Sequence, residues 1–315
     1  MRVVVALGGN ALARRGEPMT AEFLRTNVRS TCQALAALAR TAELVITHGN
    51  GPQVGLLALQ NLAYQDVAAY PLDILGAETQ GMIGYVVQQE LANAVEGERE
   101  VAGIITTTVV SEDDPAFDRP TKLIGPQYSG HDAAEAAAAY RWTIARDGAA
   151  FRRVVPSPRP LAIVQAPLIR RLLEGGTLCV CVGGGGVPVR LDSLGRHVGV
   201  QAVVDKDQAS AALAVEIGAD VLIMLTDGDY VSESWGTPEQ RDIVTASADA
   251  IAKLAFAEGS MQPKVDAAIR VARAGGRVLI GPLDRLDDLL ARKVGTEIVP
   301  SLDEGILFLE RRPSD

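Results

Sequence analysis

Five short apolar runs, each ending abruptly in glycine, threonine-aspartate or histidine-glycine, constrain the fold of this chain more than any other feature. They are Val3–Leu7 before Gly-Gly-Asn, Leu44–Thr47 before His-Gly-Asn-Gly-Pro, Leu178–Val182 before four glycines, Val221–Leu225 before Thr-Asp-Gly-Asp, and Val278–Ile280 before Gly-Pro. Runs without polar alternation suit strands buried on both faces. Between them apolar residues recur at spacings of three and four: Leu24, Val28, Thr31, Leu35 and Leu38; Ile83, Val87 and Leu91; Val265, Ala268, Ile269 and Ala272. That period predicts helices with one buried face. The last has legible ends, with Ser260 or Gln262 available as cap, Pro263 in its first turn and Gly275 and Gly276 after it. Strands alternating with helices predict an α/β protein with a mainly parallel sheet covered on both faces. Ligands of such sheets bind beyond the carboxyl ends of the strands, where all five turns fall.

With 315 residues, 48% of them hydrophobic, the chain can bury a large core as one α/β domain or two smaller ones. A net charge of −9, with no more than two adjacent basic residues, argues against a nucleic-acid surface, so an anionic substrate must be drawn in by local features. No apolar stretch approaches the ~20 residues of a membrane helix, and the N-terminal run is short for a secretory signal, so a cytoplasmic protein is expected. Cys179 and Cys181 alternate in one run and read as core residues, and His48, His131 and His197 lack metal-ligand spacing, so no metal site is expected. The segment 112–160 holds six of the sixteen prolines, an Ala-rich helix near Ala133–Tyr140, and Lys122. It reads either as an inserted lid or as a pair of surface loops.

Glycines at Gly8, Gly9, Gly49, Gly51 and 183–186, with Asn10 and Asn50 beside them, let backbone N–H groups approach an oxyanion or phosphate. Each loop taken alone is equally explained by a tight strand-to-helix turn. None fits a Walker A pattern, and the dinucleotide fingerprint is absent, since Gly-Asn-Gly-Pro-Gln-Val-Gly has the wrong spacing and no acid follows about 20 residues after Gly8.

Lysine supplies a second signal by its scarcity. Only five of the 30 basic residues are lysine. Lys253 and Lys293 read as surface residues, whereas Lys122, Lys206 and Lys264 stand beside Gly, Pro or Asp. Either all five are scattered surface residues, or a chain this biased toward arginine keeps lysine where a compact ammonium is needed and a planar guanidinium does not fit. Phosphoryl transfer needs such charge around the moving group and little covalent help. Lys206 is flanked by Asp205 and Asp207, which either orient the ammonium or leave it solvated, Asp205 then being simply the cap of the helix that follows. Asp227 and Asp229 either contact a ribose or metal or form an Asx turn. Candidate bases are few. His48 reads as a brace for its loop rather than a proton carrier, and a carboxylate-type acceptor, already anionic, would need no base.

The ordered motifs VVALGGNAL (4–12), THGNGPQVG (47–55), PLDILGAETQGMIGY (71–85), PTKLIGP (120–126), VVPSPRP (154–160), GGGGVPV (183–189), VDKDQAS (204–210), LTDGDYV (225–231) and GSMQPKV (259–265) span nearly the whole chain. On them the chain resembles the amino acid kinase superfamily and, within it, the carbamate kinases. The resemblance implies a three-layer αβα sandwich around an open sheet, with a protruding subdomain at 112–160. It also implies an acceptor-binding half at roughly 1–200 and a nucleotide-binding half at 201–315. The implied reaction is reversible phosphoryl transfer between ATP and carbamate, giving ADP and carbamoyl phosphate. Mg2+ would be held mainly through the nucleotide phosphates, and the enzyme would be a homodimer. Lys122 matches the lysine that the subdomain supplies in carbamate kinases, replacing one that many relatives place before the first Gly-Gly, where this chain has Ala6 and Leu7.

By the same resemblance Lys122 and Lys206 would stabilise the transferring phosphoryl group, Asp207 would position the lysines, and Lys264 would bind nucleotide phosphate. Gly8, Gly9, Asn10, Gly49, Asn50 and Gly51 would hold the acceptor. Thr226, Asp227, Asp229, Tyr230, Met261 and Pro263, with Lys264, would border the nucleotide. Two departures are visible: Asp147-Gly148-Ala149-Ala150-Phe151 where many carbamate kinases carry Gly-Arg-Gly-Trp, which bears on subdomain packing, and Gly228 where a bulkier residue is common, which would loosen the nucleotide pocket. A same-fold kinase for another small acid and a non-catalytic metabolite sensor are the rival readings.

Overall fold

All five apolar runs become neighbouring parallel strands at the centre of one sheet. The order is Arg277–Pro282, Val221–Thr226, Arg2–Leu7, Glu43–His48 and Leu178–Val180. Their pairings are parallel throughout, so their carboxyl ends share one edge. The computed structural model describes residues 1–12, 17–64, 66–257 and 261–310. Val101–Gly103 adds a further parallel strand beyond Leu178–Val180. At the opposite side Thr296–Val299, Arg241–Ser247, Val231–Glu233 and Ile306–Phe308 complete ten strands, most of these pairings being antiparallel.

Side chains alternate along a strand, and the first strand shows the result. Val4 and Ala6 enter one core cluster, whereas Val3, Val5 and Leu7 enter the other. Helices Ala166–Glu174, Lys206–Ile217 and Met261–Arg273 pack on the first face, and Ala21–Thr41 and Leu72–Ala94 on the second. This is the three-layer αβα arrangement. The helical periods are realised: Val28, Leu35, Ile83, Val87, Leu91, Val265 and Ala268 are all buried. Pro263 lies in the first turn of its helix; Ser260, the alternative cap, lies outside the described residues. Cys179 and Cys181 are buried in one cluster with free thiols, and burial pushes the Cys179 thiol up to about 12, which leaves it inert.

Strands Lys122–Tyr128, Ile144–Asp147 and Ala150–Val155 make a separate three-stranded sheet, covered by helix Gly130–Tyr140. Asp147 and Gly148 form part of its hairpin turn, where φ at Gly148 is +63°. Phe151 lies against Gly130, and Arg153 stacks on Trp142 at 4.3 Å, so the departing sequence still packs. This unit meets the main body where Gly125 touches Gly55 of helix Gly51–Ala63. A Cβ built on Gly55 would lie 1.9 Å from the Gly125 Cα.

Candidate active site

Helix Lys206–Ile217 places its first turn at the carboxyl edge of the sheet and sets the geometry of the site. Its interior is mostly alanine, with Ala209, Ala211, Ala212 and Ala214 buried, so it packs closely on all sides. Asp205 caps it: Oδ1 accepts from the backbone N–H of Asp207 at 2.9 Å and of Gln208 at 3.2 Å. The Ser210 hydroxyl lies 2.6 Å from that of Thr47, fixing the helix against the second strand. Gln208 donates through Nε2 to the carbonyl of Pro263 at 2.8 Å, joining this first turn to that of helix Met261–Arg273.

Three lysines from separate segments meet two carboxylates there. Lys122 Nζ donates to Asp205 Oδ2 at 2.5 Å, Lys206 Nζ to Asp207 Oδ1 at 2.6 Å, and Lys264 Nζ to Asp207 Oδ2 at 2.6 Å. The flanking acids therefore do not share Lys206, as the sequence reading allowed. The cap fixes one oxygen of Asp205 on backbone donors and turns the other toward the three-stranded sheet, so Asp205 both caps the helix and holds Lys122. Lys206 is not solvated; its side chain is 14% exposed.

Burial alone would raise the Asp207 carboxyl, but Lys206 and Lys264 together outweigh it and hold the group below its ordinary range. Asp205 is likewise lowered, burial being outweighed chiefly by Lys122. The lysines split. Burial lowers Lys206 despite Asp207, with Lys264 adding to the fall, whereas at Lys264 the attraction of Asp207 outweighs burial and raises the group. Three ammoniums against two carboxylates leave a local positive excess in a chain of net charge −9. This is the local feature that an anionic substrate requires.

The cluster opens on a cavity of about 350 Å³, lined also by Gly9, Gly49, Asn50, Gly51, Gln53, Arg152, Gly184 and Pro263. Gly49 lies close beneath the Lys206 stem: its Cβ would stand 3.3 Å from Lys206 Cδ, tight enough that the side chain would have to shift. Gly8 is set back and constrained differently, since a Cβ there would lie 2.5 Å from the Leu225 carbonyl oxygen of the adjoining strand. Asn10 follows in a short turn of 3-10 helix, but its side chain lies outside the described residues. Asn50 Nδ2 donates to Thr79 at 2.8 Å. In the run 183–186 packing dominates: a Cβ on each glycine would meet His48, Asn50, the Val204 carbonyl and Thr108 in turn, and of these four glycines Gly184 borders the cavity.

His48 is buried and donates from Nδ1 to the Gly49 carbonyl at 3.0 Å. Burial lowers its pKa to about 4, the bond to Gly49 opposing, so it is neutral near pH 7 and braces the loop. The expected nucleotide residues are not gathered in the lysine cavity. Pro263 and Lys264 line it, whereas Thr226 and Asp227 border a neighbouring hollow with residues 283–288. Asp229 is exposed, 3.6 Å from Arg285, and Tyr230 and Met261 pack against opposite core clusters. Gly228 has room for a Cβ, its nearest contact being 3.7 Å away, so its small size leaves space at this strand end.

Sequence reasoning passed over Gln53 and Arg152. Among the described residues Gln53 Oε1 and Arg152 Nε are buried without a hydrogen-bond partner, and both residues line the lysine cavity. Leaving such a group unpaired costs about 1–3 kcal/mol, which a bound ligand can recover. Arg152 could not be singled out among 25 arginines, and Gln53 sits inside a motif whose glycines took the attention.

The fold and this cluster of ammoniums define a small-molecule phosphotransferase, and the comparisons agree. The model of the amino acid kinase family matches residues 1–281. A curated carbamate kinase from Haemophilus influenzae is 51% identical over 309 residues, covering 98% of this chain and 99% of that protein. One from Rhizobium meliloti is 47% identical over 308 residues, covering 96% and 95%. The solved structure of carbamate kinase from Giardia lamblia bound to AMP-PNP matches with a TM-score of 0.86 at 36% identity, covering 95% of this chain and 98% of that one. The chain belongs to the amino acid kinase family, and within it to the carbamate kinases.

Proposed function

We propose that the protein catalyses reversible phosphoryl transfer between ATP and carbamate, giving ADP and carbamoyl phosphate. The observation that carries this reading is the convergence of Lys122, Lys206 and Lys264 on Asp205 and Asp207 in one cavity. A carbamate oxygen attacks the γ-phosphorus, the bond to the β,γ-bridging oxygen breaks, and its electron pair stays on ADP. Lys122 and Lys206 lie against the moving phosphoryl group and Lys264 against the nucleotide phosphates, while Asp207 holds two of the ammoniums in place. Because the donors are positioned before substrate arrives, they stabilise the developing charge without reorganising. The acceptor is already an anion, so the chemistry requires no general base, in keeping with a lining that contains no histidine among the described residues.

Gly9, Gly49, Asn50 and Gly51 border the acceptor end, with Gly8 and Asn10 supporting it. Thr226, Asp227, Asp229, Tyr230, Met261 and Pro263 border the nucleotide, dividing the chain into an acceptor half at roughly 1–200 and a nucleotide half at 201–315. Residues 112–160 act as a subdomain that brings Lys122 to the phosphoryl group. Asp205 and Asp207 are occupied by lysines, so Mg2+ fits best on the nucleotide phosphates, where it would neutralise phosphate charge. A homodimer is supported by exposed Met19, Phe23, Met82, Tyr85 and Ile105, which border two adjoining hollows joined at Tyr85. A cytoplasmic setting suits a reaction that uses ATP, and no helix among the described residues is long and apolar enough to cross a membrane. ATP formation from ADP and carbamoyl phosphate tests the activity directly. Turnover no higher than that of a Lys206→Ala control would defeat the proposal, and a panel of other small acids separates carbamate from rival acceptors.

A further inference from the structure

We infer that Gln53 reads the amino group of the acceptor, and so sets the preference for carbamate over acids of the same size that lack an N–H. The inference rests on the carbamate reading above. Three buried side-chain polar atoms lack a partner among the described residues: Gln53 Oε1, Arg152 Nε and Tyr128 OH. The first two belong to residues lining the lysine cavity. Gln53 lies in the first turn of helix Gly51–Ala63, next to the loop that carries Gly49, Asn50 and Gly51, at the acceptor end. Gln53 also borders a largely apolar groove with Met19, Phe23, Leu56 and Met82.

The cavity is rich in donors and poor in free side-chain acceptors, the amide oxygens of Asn50 and Gln53 apart, and of these two it is Gln53 Oε1 that is buried without a partner. Lys122, Lys206, Lys264 and Arg152 all donate, and the oxygens of Asp205 and Asp207 are taken by lysines and backbone N–H groups. An acid with two anionic oxygens finds partners easily, whereas an amino group needs an acceptor. Gln53 Oε1 supplies one. A neutral amide also does this without repelling the acceptor's carboxylate, as a glutamate at this position would.

The test compares carbamoyl phosphate with acetyl phosphate, in which a methyl group replaces the amino group, as phosphoryl donors to ADP. Acetyl phosphate is read as substrate and also as competitive inhibitor. In Gln53→Met, which keeps the length and helix preference of the side chain but removes its polar atoms, the ratio of kcat/KM for carbamoyl phosphate over acetyl phosphate should fall roughly tenfold. The matching ratio of KM for carbamoyl phosphate to the inhibition constant of acetyl phosphate should rise. Gln53→Glu, which retains an acceptor, should preserve the ratio while raising both KM values. Equal loss on both substrates in Gln53→Met would overturn the inference, because a merely structural role or a loss of folded protein scales the two together. A wild-type enzyme inert toward carbamoyl phosphate would instead overturn the functional reading on which the inference rests.

Discussion

At the phosphoryl end Asp207 is 4% exposed and each carboxylate oxygen is bound by a lysine, whereas at the end of strand Val221–Thr226 both Asp227 and Asp229 stand at the surface. Both pairs of acids lie near strand carboxyl ends, and both were visible in the sequence. On the proposed function, the difference follows from what each region would have to stabilise. Charge that develops during reaction is best met by groups already fixed in a site of low dielectric. A ribose or base bound before and after reaction can be held by exposed groups that order on contact. Catalytic power should therefore be concentrated at Asp205, Asp207 and the lysines, and affinity spread over residues 226–230.

The largest expected effect is that of Asp207→Asn. The amide cannot accept from both ammoniums as a carboxylate does, so kcat should fall about 100- to 1,000-fold, with a drop in thermal unfolding temperature; unchanged kcat would remove the contrast between the two ends. Lys206→Arg and Lys122→Arg come next. Charge is kept but the guanidinium is too large for the site, and each should lose roughly 100-fold in kcat. Near-normal turnover in both would mean that field alone, not geometry, matters there.

A pH profile sharpens the same point. Burial lowers Lys206, so its ammonium is lost at a lower pH than the ordinary lysine value of 10.5, and the alkaline limb of kcat should fall early. Asp207 opposes that loss, so Asp207→Asn should move the limb to lower pH again; an unmoved limb would show that another group controls it. The smallest effect belongs to Asp227→Ala, for which KM for ADP should rise less than about tenfold with kcat kept, as expected of an exposed contact. A large fall in kcat would mean that the two ends do not differ.

The central strands were legible because they are buried on both faces and so carry unbroken apolar runs. The strands of the three-stranded sheet and of the antiparallel side were not. Ile144–Asp147 has three of its four residues partly buried, and Val231–Glu233 has only three residues, too few to establish a period. Lys122, Lys206 and Lys264 stood out through scarcity, which nominated them but could not place them. The same arginine bias hid Arg152. The two-way use of Asp205 was unreadable, because its second partner lies 83 positions away and reaches it only through the folded subdomain.

The contact of Gly55 with Gly125 has a mechanical consequence. Helix Gly51–Ala63 begins at the loop bearing Asn50, and Lys122 opens the strand that contains Gly125, so a meeting of two bare backbones gauges the gap between acceptor loop and ammonium. One methyl group at Gly55 would act as a shim, levering the strand outward and drawing Lys122 from Asp205. Reach across the cleft is thus tuned at a point outside the lining of the cavity, where the smallest residue serves as the zero of the scale.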